Sequence, residues 1–215
     1  MARRKKTITG AELMCRALVE EGVTVLFGYT GGAIMPVYDA FPKFPRLRHI
    51  MVRHEQAAAF AAQGMARATG RAGVCISTSG PGATNLMTGI ADAHMDSIPL
   101  VAITGQVATA VIGTDAFQES DIIGMLVPVT KQSYILDDPY EIPRVVKEAF
   151  YLANTGRKGP VNIDFPKDIA NAVVPDNGFD TTIRYPVPTP PGIGKEQLAH
   201  ARKLMAGAKR PVVFV

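Results

Sequence analysis

Short apolar runs alternate with longer amphipathic stretches along most of this chain. The runs fall at 23–27, 48–52, 73–78, 99–104, about 128–134 and 160–165. They are rich in β-branched residues and bounded by Gly, Pro or polar clusters, which predicts strands. Several are apolar nearly throughout, as expected of a sheet covered on both faces. Helical spacing predicts helices near 33–41, 55–69, 82–94 and 139–156. Ahead of them, Thr9 and Glu12 read as a capping box that opens a helix ending near Gly22. Leu13, Met14, Ala17 and Leu18 give that helix an apolar face. Strands alternating with helices predict a three-layer α/β fold, a mainly parallel six-stranded sheet with helices on both sides.

Past Asp168 the pattern dissolves. Pro175, Pro186, Pro188, Pro190 and Pro191, with Gly178, Gly192 and Gly194, read as a linker. Lys195 to Ala208 then reads as a helix, and Arg210 to Val215 as the beginning of a strand. One helix and one strand cannot bury enough surface to stand alone. The expected organisation is therefore one α/β domain over 1–172, a linker over 173–194, and the truncated start of another domain over 195–215. On this reading the chain is part of a longer protein.

Composition narrows the function little. The chain is 47% hydrophobic and 20% charged, ordinary for an α/β protein. Its formal charge of +4 equals the contribution of Arg3-Arg4-Lys5-Lys6, which reads as a solvated tail. No aromatic platform accompanies that tail, so single-strand stacking has no support. Cys15 and Cys75 are isolated and suggest neither a disulfide framework nor zinc, and so a reducing, cytoplasmic compartment. The four histidines are scattered, which gives no metal site. No apolar targeting core and no stretch of membrane-spanning length is visible.

Three places carry candidate chemistry. Glu55 follows the strand-like Ile50-Met51-Val52 and opens an Ala-rich helix. Strand-to-helix junctions are where α/β sheets bind ligands. The small residues Ala57 to Ala59, Ala61, Ala62, Gly64, Ala66 and Ala68 let this helix lie close to another backbone. A carboxylate at the mouth of so tightly packed a site is desolvated, and a desolvated carboxylate shares a proton readily. The plain alternative is a first-turn Glu that complements the helix dipole. Two Gly-rich turns follow strand-like runs in the same way: Tyr29-Thr30-Gly31-Gly32-Ala33, and Ser79-Gly80-Pro81-Gly82-Ala83-Thr84-Asn85. Such turns let backbone approach a ligand. Neither ends like a P-loop or matches G-x-G-x-x-G.

Together, in this order, these segments resemble the N-terminal, pyrimidine-binding domain of thiamine diphosphate enzymes. Among these the chain is most similar to the catalytic subunits of the acetolactate synthase (acetohydroxyacid synthase) family. The resemblance rests on Phe27 to Asp39, His54-Glu55-Gln56 and Thr78 to Asn85. It is sharpened by Thr104-Gly105-Gln106-Val107, Ile112 to Glu119, Gly159-Pro160-Val161 and Asp164-Phe165-Pro166-Lys167-Asp168. It covers roughly 8–172.

The resemblance implies a transferase that decarboxylates pyruvate. The two-carbon unit then passes to pyruvate or 2-oxobutyrate in branched-chain amino acid biosynthesis. Glu55 matches the Glu that hydrogen-bonds N1′ of the aminopyrimidine and promotes the tautomer that removes the C2 proton. Gly32 matches a backbone N–H that stabilises developing oxygen charge, and Gln118 a residue facing substrate and cofactor. Tyr29, Gly31, Gly32, Ala33, Thr78, Pro81, Gly82 and Asn85 are implied to line the pyrimidine pocket with Glu55. Pro81 equally suits a helix's first turn, Asn85 a helix surface, and Phe117 core packing. The family's diphosphate and Mg²⁺ are held by a further domain whose motif is absent here, and FAD mainly by the central domain. Each site is shared between subunits, which implies at least a homodimer, with a small regulatory subunit possible.

Three positions depart from the family's usual pattern. Thr30 and Ala108 stand where Pro is common, and Met65 where Tyr is common. These leave the Glu and Gly roles alone and bear on substrate and inhibitor preference. Sibling readings are pyruvate oxidase or sulfoacetaldehyde acetyltransferase. Glyoxylate carboligase is disfavoured because it lacks the Glu. A non-catalytic binding module is the reading from another class.

Overall fold

The chain enters through a short strand, β1 (Thr7–Thr9), and helix α1 (Gly10–Glu20). The computed structural model describes residues 6–176, 184–186, 188–189 and 191–212. The expected capping box is present: the Thr9 hydroxyl accepts from the Glu12 N–H at 3.1 Å, and the Glu12 carboxylate accepts from the Thr9 N–H at 2.9 Å. Each bond satisfies a donor that a helix end would otherwise leave open.

All six predicted strands form, as β2 (Val25–Gly28), β3 (Arg48–Met51), β4 (Gly73–Ser77), β5 (Leu100–Gln106), β6 (Gln132–Ile135) and β7 (Pro160–Pro166). They make one sheet in the order β3-β2-β4-β5-β7-β6, parallel throughout. The fold is therefore the expected three-layer α/β arrangement. β4, β5 and β7 are buried along their whole length, which explains their nearly unbroken apolar sequence.

Side-chain alternation sends Leu26, Val74, Ile76, Val101, Ile103, Val161, Ile163 and Phe165 to one face. There they pack on α1, α2 (Met35–Ala40), α6 (Ile142–Asn154) and α7 (Lys167–Asn171). The other face packs on α3 (Glu55–Thr69), α4 (Pro81–Met95) and α5 (Ile122–Leu126). Helix α6 shows why its span was legible. Ile142, Val145, Val146, Ala149, Phe150 and Ala153 are buried at helical spacing.

Some elements differ from expectation. The predicted helix over 33–41 is only one and a half turns of α-helix, because a 3₁₀ turn at Phe41–Lys43 succeeds it. Another 3₁₀ turn, Pro139–Glu141, opens α6. The predicted strand from about 128 begins instead at Gln132, since Val127–Val129 is a 3₁₀ turn. Helices α5 and α7, five residues each, fall below the length that periodicity detects.

The stretch expected to be linker from 173 begins as a strand, β8 (Val173–Pro175), antiparallel to β1 with Ile8 opposite Val174. Both of those side chains are buried, so apolar burial holds the two ends of this unit together. The chain divides into two units, Met1–Tyr185 and Pro186–Val215. The second contains the expected helix as α8 (Lys195–Gly207), and Arg210 to Val212 after it are irregular. Arg3 to Lys5, Gly178, Pro190 and 213–215 lie outside the described residues. Among the described residues no helix is long and apolar enough to cross a membrane.

Candidate functional site

The strand order reverses at β2. From β2 the chain steps to β3 on one side, then returns to place β4 on the other. Such a switch opens a crevice at the carboxyl ends of the strands. The three segments singled out in the sequence converge there. Tyr29 to Ala33 leaves β2, Arg53 to Glu55 leaves β3, and Thr78 to Gly80 leaves β4.

Glu55 is the first residue of α3, and His54 caps that helix through its ring nitrogen, which accepts from the Gln56 N–H at 3.2 Å. The Glu55 residue is only 8% exposed. Asn85, one turn into α4, donates from its side-chain amide to Glu55 Oε2 at 3.0 Å. Its amide is thus occupied by the carboxylate. A Cβ on Gly82 would stand 3.4 Å from Glu55 Oε1, so the bare glycine keeps a side chain off that oxygen. The two helices approach closely: a Cβ on Gly89 would collide with the Ala59 Cβ. The small residues of α3 divide by face. Ala58, Ala59, Ala62 and Ala66 are buried, while Ala57, Gly64 and Ala68 are exposed.

Thr78 ties the two glycine turns together. Its hydroxyl accepts from the Ala33 N–H at 3.2 Å. Its Cβ lies 2.5 Å from where a Cβ on Gly31 would be, so this turn closes only over glycine. Gly32 is different. It is exposed, with no atom within 4 Å of where its Cβ would stand, and no φ that demands glycine. A side chain there would therefore not strain the turn. Tyr29 and Pro81 are both exposed, Pro81 in the first turn of α4.

Gln118 lies on the long connection from β5 to α5, far in sequence from the rest. The structure brings its backbone to the crevice: the Gln118 carbonyl oxygen fills the space that a Cβ on Gly80 would need. Gly80 has φ +52° and Gln118 φ +59°, both in the left-handed region. Only the first is a glycine, and Gln118 adopts that conformation against the usual preference. Phe117 is 87% exposed, so the core-packing alternative does not hold for it.

Sequence reading missed two groups. Tyr38 of α2 hydrogen-bonds His49 of β3 at 3.0 Å, and its hydroxyl lies 3.1 Å from a Cβ placed on Gly28. Burial, with the Glu55 charge nearby, pushes the Tyr38 phenol up, and burial pushes the His49 imidazole down. The second group is a buried polar set, Thr104, Gln106, Asn162 and Asp164, on β5 and β7. Four polar residues in otherwise apolar strands were visible as an anomaly.

The chain is similar to the acetolactate synthase large subunit of Corynebacterium glutamicum, 51% identical over 97% of the chain and 33% of the relative. It is 49% identical to the acetolactate synthase isozyme 3 large subunit of Escherichia coli, over 97% of the chain and 37% of the relative. A probable acetolactate synthase large subunit of Methanocaldococcus jannaschii is 51% identical over 95% of the chain. The chain thus spans about a third of the length of the curated relatives it matches. Residues 8–125 match the family described as thiamine pyrophosphate enzyme, N-terminal TPP binding domain, and the chain belongs to that family.

Proposed function

We propose that this chain supplies the pyrimidine side of the active site of an acetolactate synthase. The reaction is decarboxylation of pyruvate and transfer of the two-carbon unit to pyruvate or 2-oxobutyrate, as in branched-chain amino acid biosynthesis. One observation carries this reading: a nearly buried carboxylate, Glu55, held by Asn85 on one oxygen and faced by the bare Gly82 at the other. Around Glu55 the crevice brings together Gly31, Ala33, Thr78 and the start of α4, small groups that leave room for a flat heteroaromatic ring in this reading. About half of all positions match acetolactate synthase large subunits, which favours that activity over other thiamine enzymes.

Bound thiamine diphosphate supplies a thiazolium carbon able to attack the 2-oxo carbon and to hold the electron pair released with CO₂. The chain's own residues do the rest. Glu55 shares a proton with the N1′ nitrogen of the pyrimidine, as a positioned general acid–base. Asn85 fixes the Glu55 carboxylate so that one oxygen faces the ring. The Gly32 N–H, on an open turn, offers a donor to developing oxygen charge. Gln118 reaches the reacting groups from its loop, and Tyr29, Gly31, Pro81 and Gly82 complete the pocket wall.

The diphosphate with Mg²⁺, and FAD, belong to other domains of the full-length protein in this reading. The outward small side chains of α3, Ala57, Gly64 and Ala68, with the exposed Phe60, provide a surface for a second subunit that completes the site. A homodimer with shared sites, open to a small regulatory subunit, working in the cytoplasm, follows from this assignment.

The test is Glu55→Gln in the full-length enzyme. Turnover should fall by roughly two orders of magnitude or more, the scale of lost acid–base catalysis, with the unfolding midpoint unchanged. Turnover close to the parent's would reject the assignment.

A further inference from the structure

A row of polar side chains crosses the sheet where both faces are otherwise apolar. Ser77, Thr104 and Asp164 are register partners on β4, β5 and β7. Asp164 is 1% exposed. The Thr104 hydroxyl donates to one of its oxygens at 2.7 Å, and the Gln106 amide to the other at 2.9 Å. The same Gln106 nitrogen also donates to the Ser120 carbonyl at 3.2 Å, and the Gln106 amide oxygen accepts from the Val107 N–H at 2.9 Å. Gln106 therefore links a buried carboxylate to both ends of the loop over 107–121.

Four residues after Asp164, a second carboxylate repeats the theme. Asp168 accepts from the Thr109 N–H at 3.0 Å and from the Thr109 hydroxyl at 2.5 Å. Between its ends the loop is braced by itself. The Glu119 carboxylate accepts N–H bonds from Gly113, Thr114 and Ala116. These bonds hold the Glu119 carboxyl below its usual range. The loop's far side rests on Gly80 through the backbone of Gln118, whose left-handed φ is set at that contact.

A carboxylate buried this deeply is costly unless its bonds are used for something that an apolar residue cannot supply. Asp164 bonds Thr104 and Gln106 of β5 and reaches the loop through Gln106, whereas Asp168 bonds Thr109 of the loop itself. We propose that Asp164 and Asp168 are positioning residues, which act through Gln106 and Thr109 to clamp both ends of the 107–121 loop and hold Gln118 at the crevice that contains Glu55. The functional meaning of the clamp rests on the assignment of Gln118 to the active site made above.

The test uses Gln106→Leu and Thr109→Val, with Thr109→Ser as the conservative control, in the full-length enzyme. Hydrogen exchange is followed by mass spectrometry, and pyruvate turnover by steady-state kinetics. In both Leu and Val variants, amides over 107–121 should exchange about tenfold faster or more, while β4, β5 and β7 keep their protection. The KM for pyruvate should rise several-fold together with a fall in kcat, and Thr109→Ser should restore both. A role confined to fold stability would lower kcat through loss of folded enzyme at constant KM. Unchanged loop exchange overturns the proposal, and so does a loosened loop with an unchanged KM. If Gln106→Leu unfolds the protein, Thr109→Val at its half-buried site carries the same reading. The loop readout is independent of Glu55, so an active Glu55→Gln enzyme would remove the proposed function without touching the clamp.

Discussion

Replacing Asp164 by Asn should change how stability depends on pH, in a direction fixed by the structure. Burial pushes the Asp164 carboxyl from the ordinary 3.8 up to about 7. The Thr104 and Gln106 donors pull it down in part, and the nearby Asp121 charge adds to the rise. A folded-state value above the unfolded one means that the folded protein binds the proton more tightly. The resulting stability is fully present below about pH 4 and is lost as pH rises toward 7. Each pH unit in that window is worth about 1.4 kcal/mol, so the total is about 4 kcal/mol. Asn at this position does not titrate. Its amide can turn its oxygen to the Gln106 donor and its NH₂ to the Thr104 hydroxyl, a replacement whose energy is constant with pH. The assay is urea unfolding of both chains at pH steps from 4 to 8. Other carboxylates titrate alike in the two, so the difference isolates Asp164. The parent's advantage over Asp164→Asn should shrink by about 4 kcal/mol across the range. A difference that stays flat within about 1 kcal/mol, the scale of extrapolation error, would refute the reasoning that burial dominates at this carboxyl.

Gly31 and Gly32 are neighbours with opposite expectations. Gly31→Ala drives a Cβ to 2.5 Å from the Thr78 Cβ and should cost about 1–3 kcal/mol, the scale of overpacking, whereas Gly32→Ala meets nothing and should stay within about 0.5 kcal/mol of the parent. Denaturant midpoints of the two variants decide this, and equal midpoints would contradict the geometry. The chain alone should neither bind thiamine diphosphate at micromolar affinity nor release CO₂ from pyruvate. Among its described residues no three metal-ligating side chains come together, and a small ligand needs most of its surface enclosed. Calorimetric titration with thiamine diphosphate and Mg²⁺ tests it, and a saturable micromolar signal would overturn the split-site reading.

The parts of the fold legible in the sequence were those whose signal is local. Long amphipathic helices such as α6 and mostly apolar strands such as β5 declare themselves by period and length. The pairing of β1 with β8 was not legible, since three-residue strands at opposite ends of a unit carry almost no pattern of their own. Only Ile8 and Val174 on each side are buried. In the site, Glu55 and the Thr78 turn stood out because each follows a strand. What Asn85 does was not legible. The sequence presents a polar residue on a helix, and only the approach of α3 to α4 turns its amide toward a carboxylate thirty positions earlier.

The clamp shows the same boundary from the other side. Thr104 and Gln106 are two apart, and so are Asn162 and Asp164, which in strands puts each pair on one face. A polar pair on one face of a strand buried on both sides already implies a partner, because an unpaired polar group there is costly. The sequence thus states that something must be satisfied in the middle of this sheet, but not by what. The answer depends on β7 lying between β5 and β6, so that strands distant in sequence become neighbours. One register then aligns Thr104 with Asp164 and Gln106 with Pro166. Pro166 precedes α7, whose second residue, Asp168, reaches Thr109. The strand order, not any single motif, makes the Asp164 to Asp168 segment a support for the loop that carries Gln118.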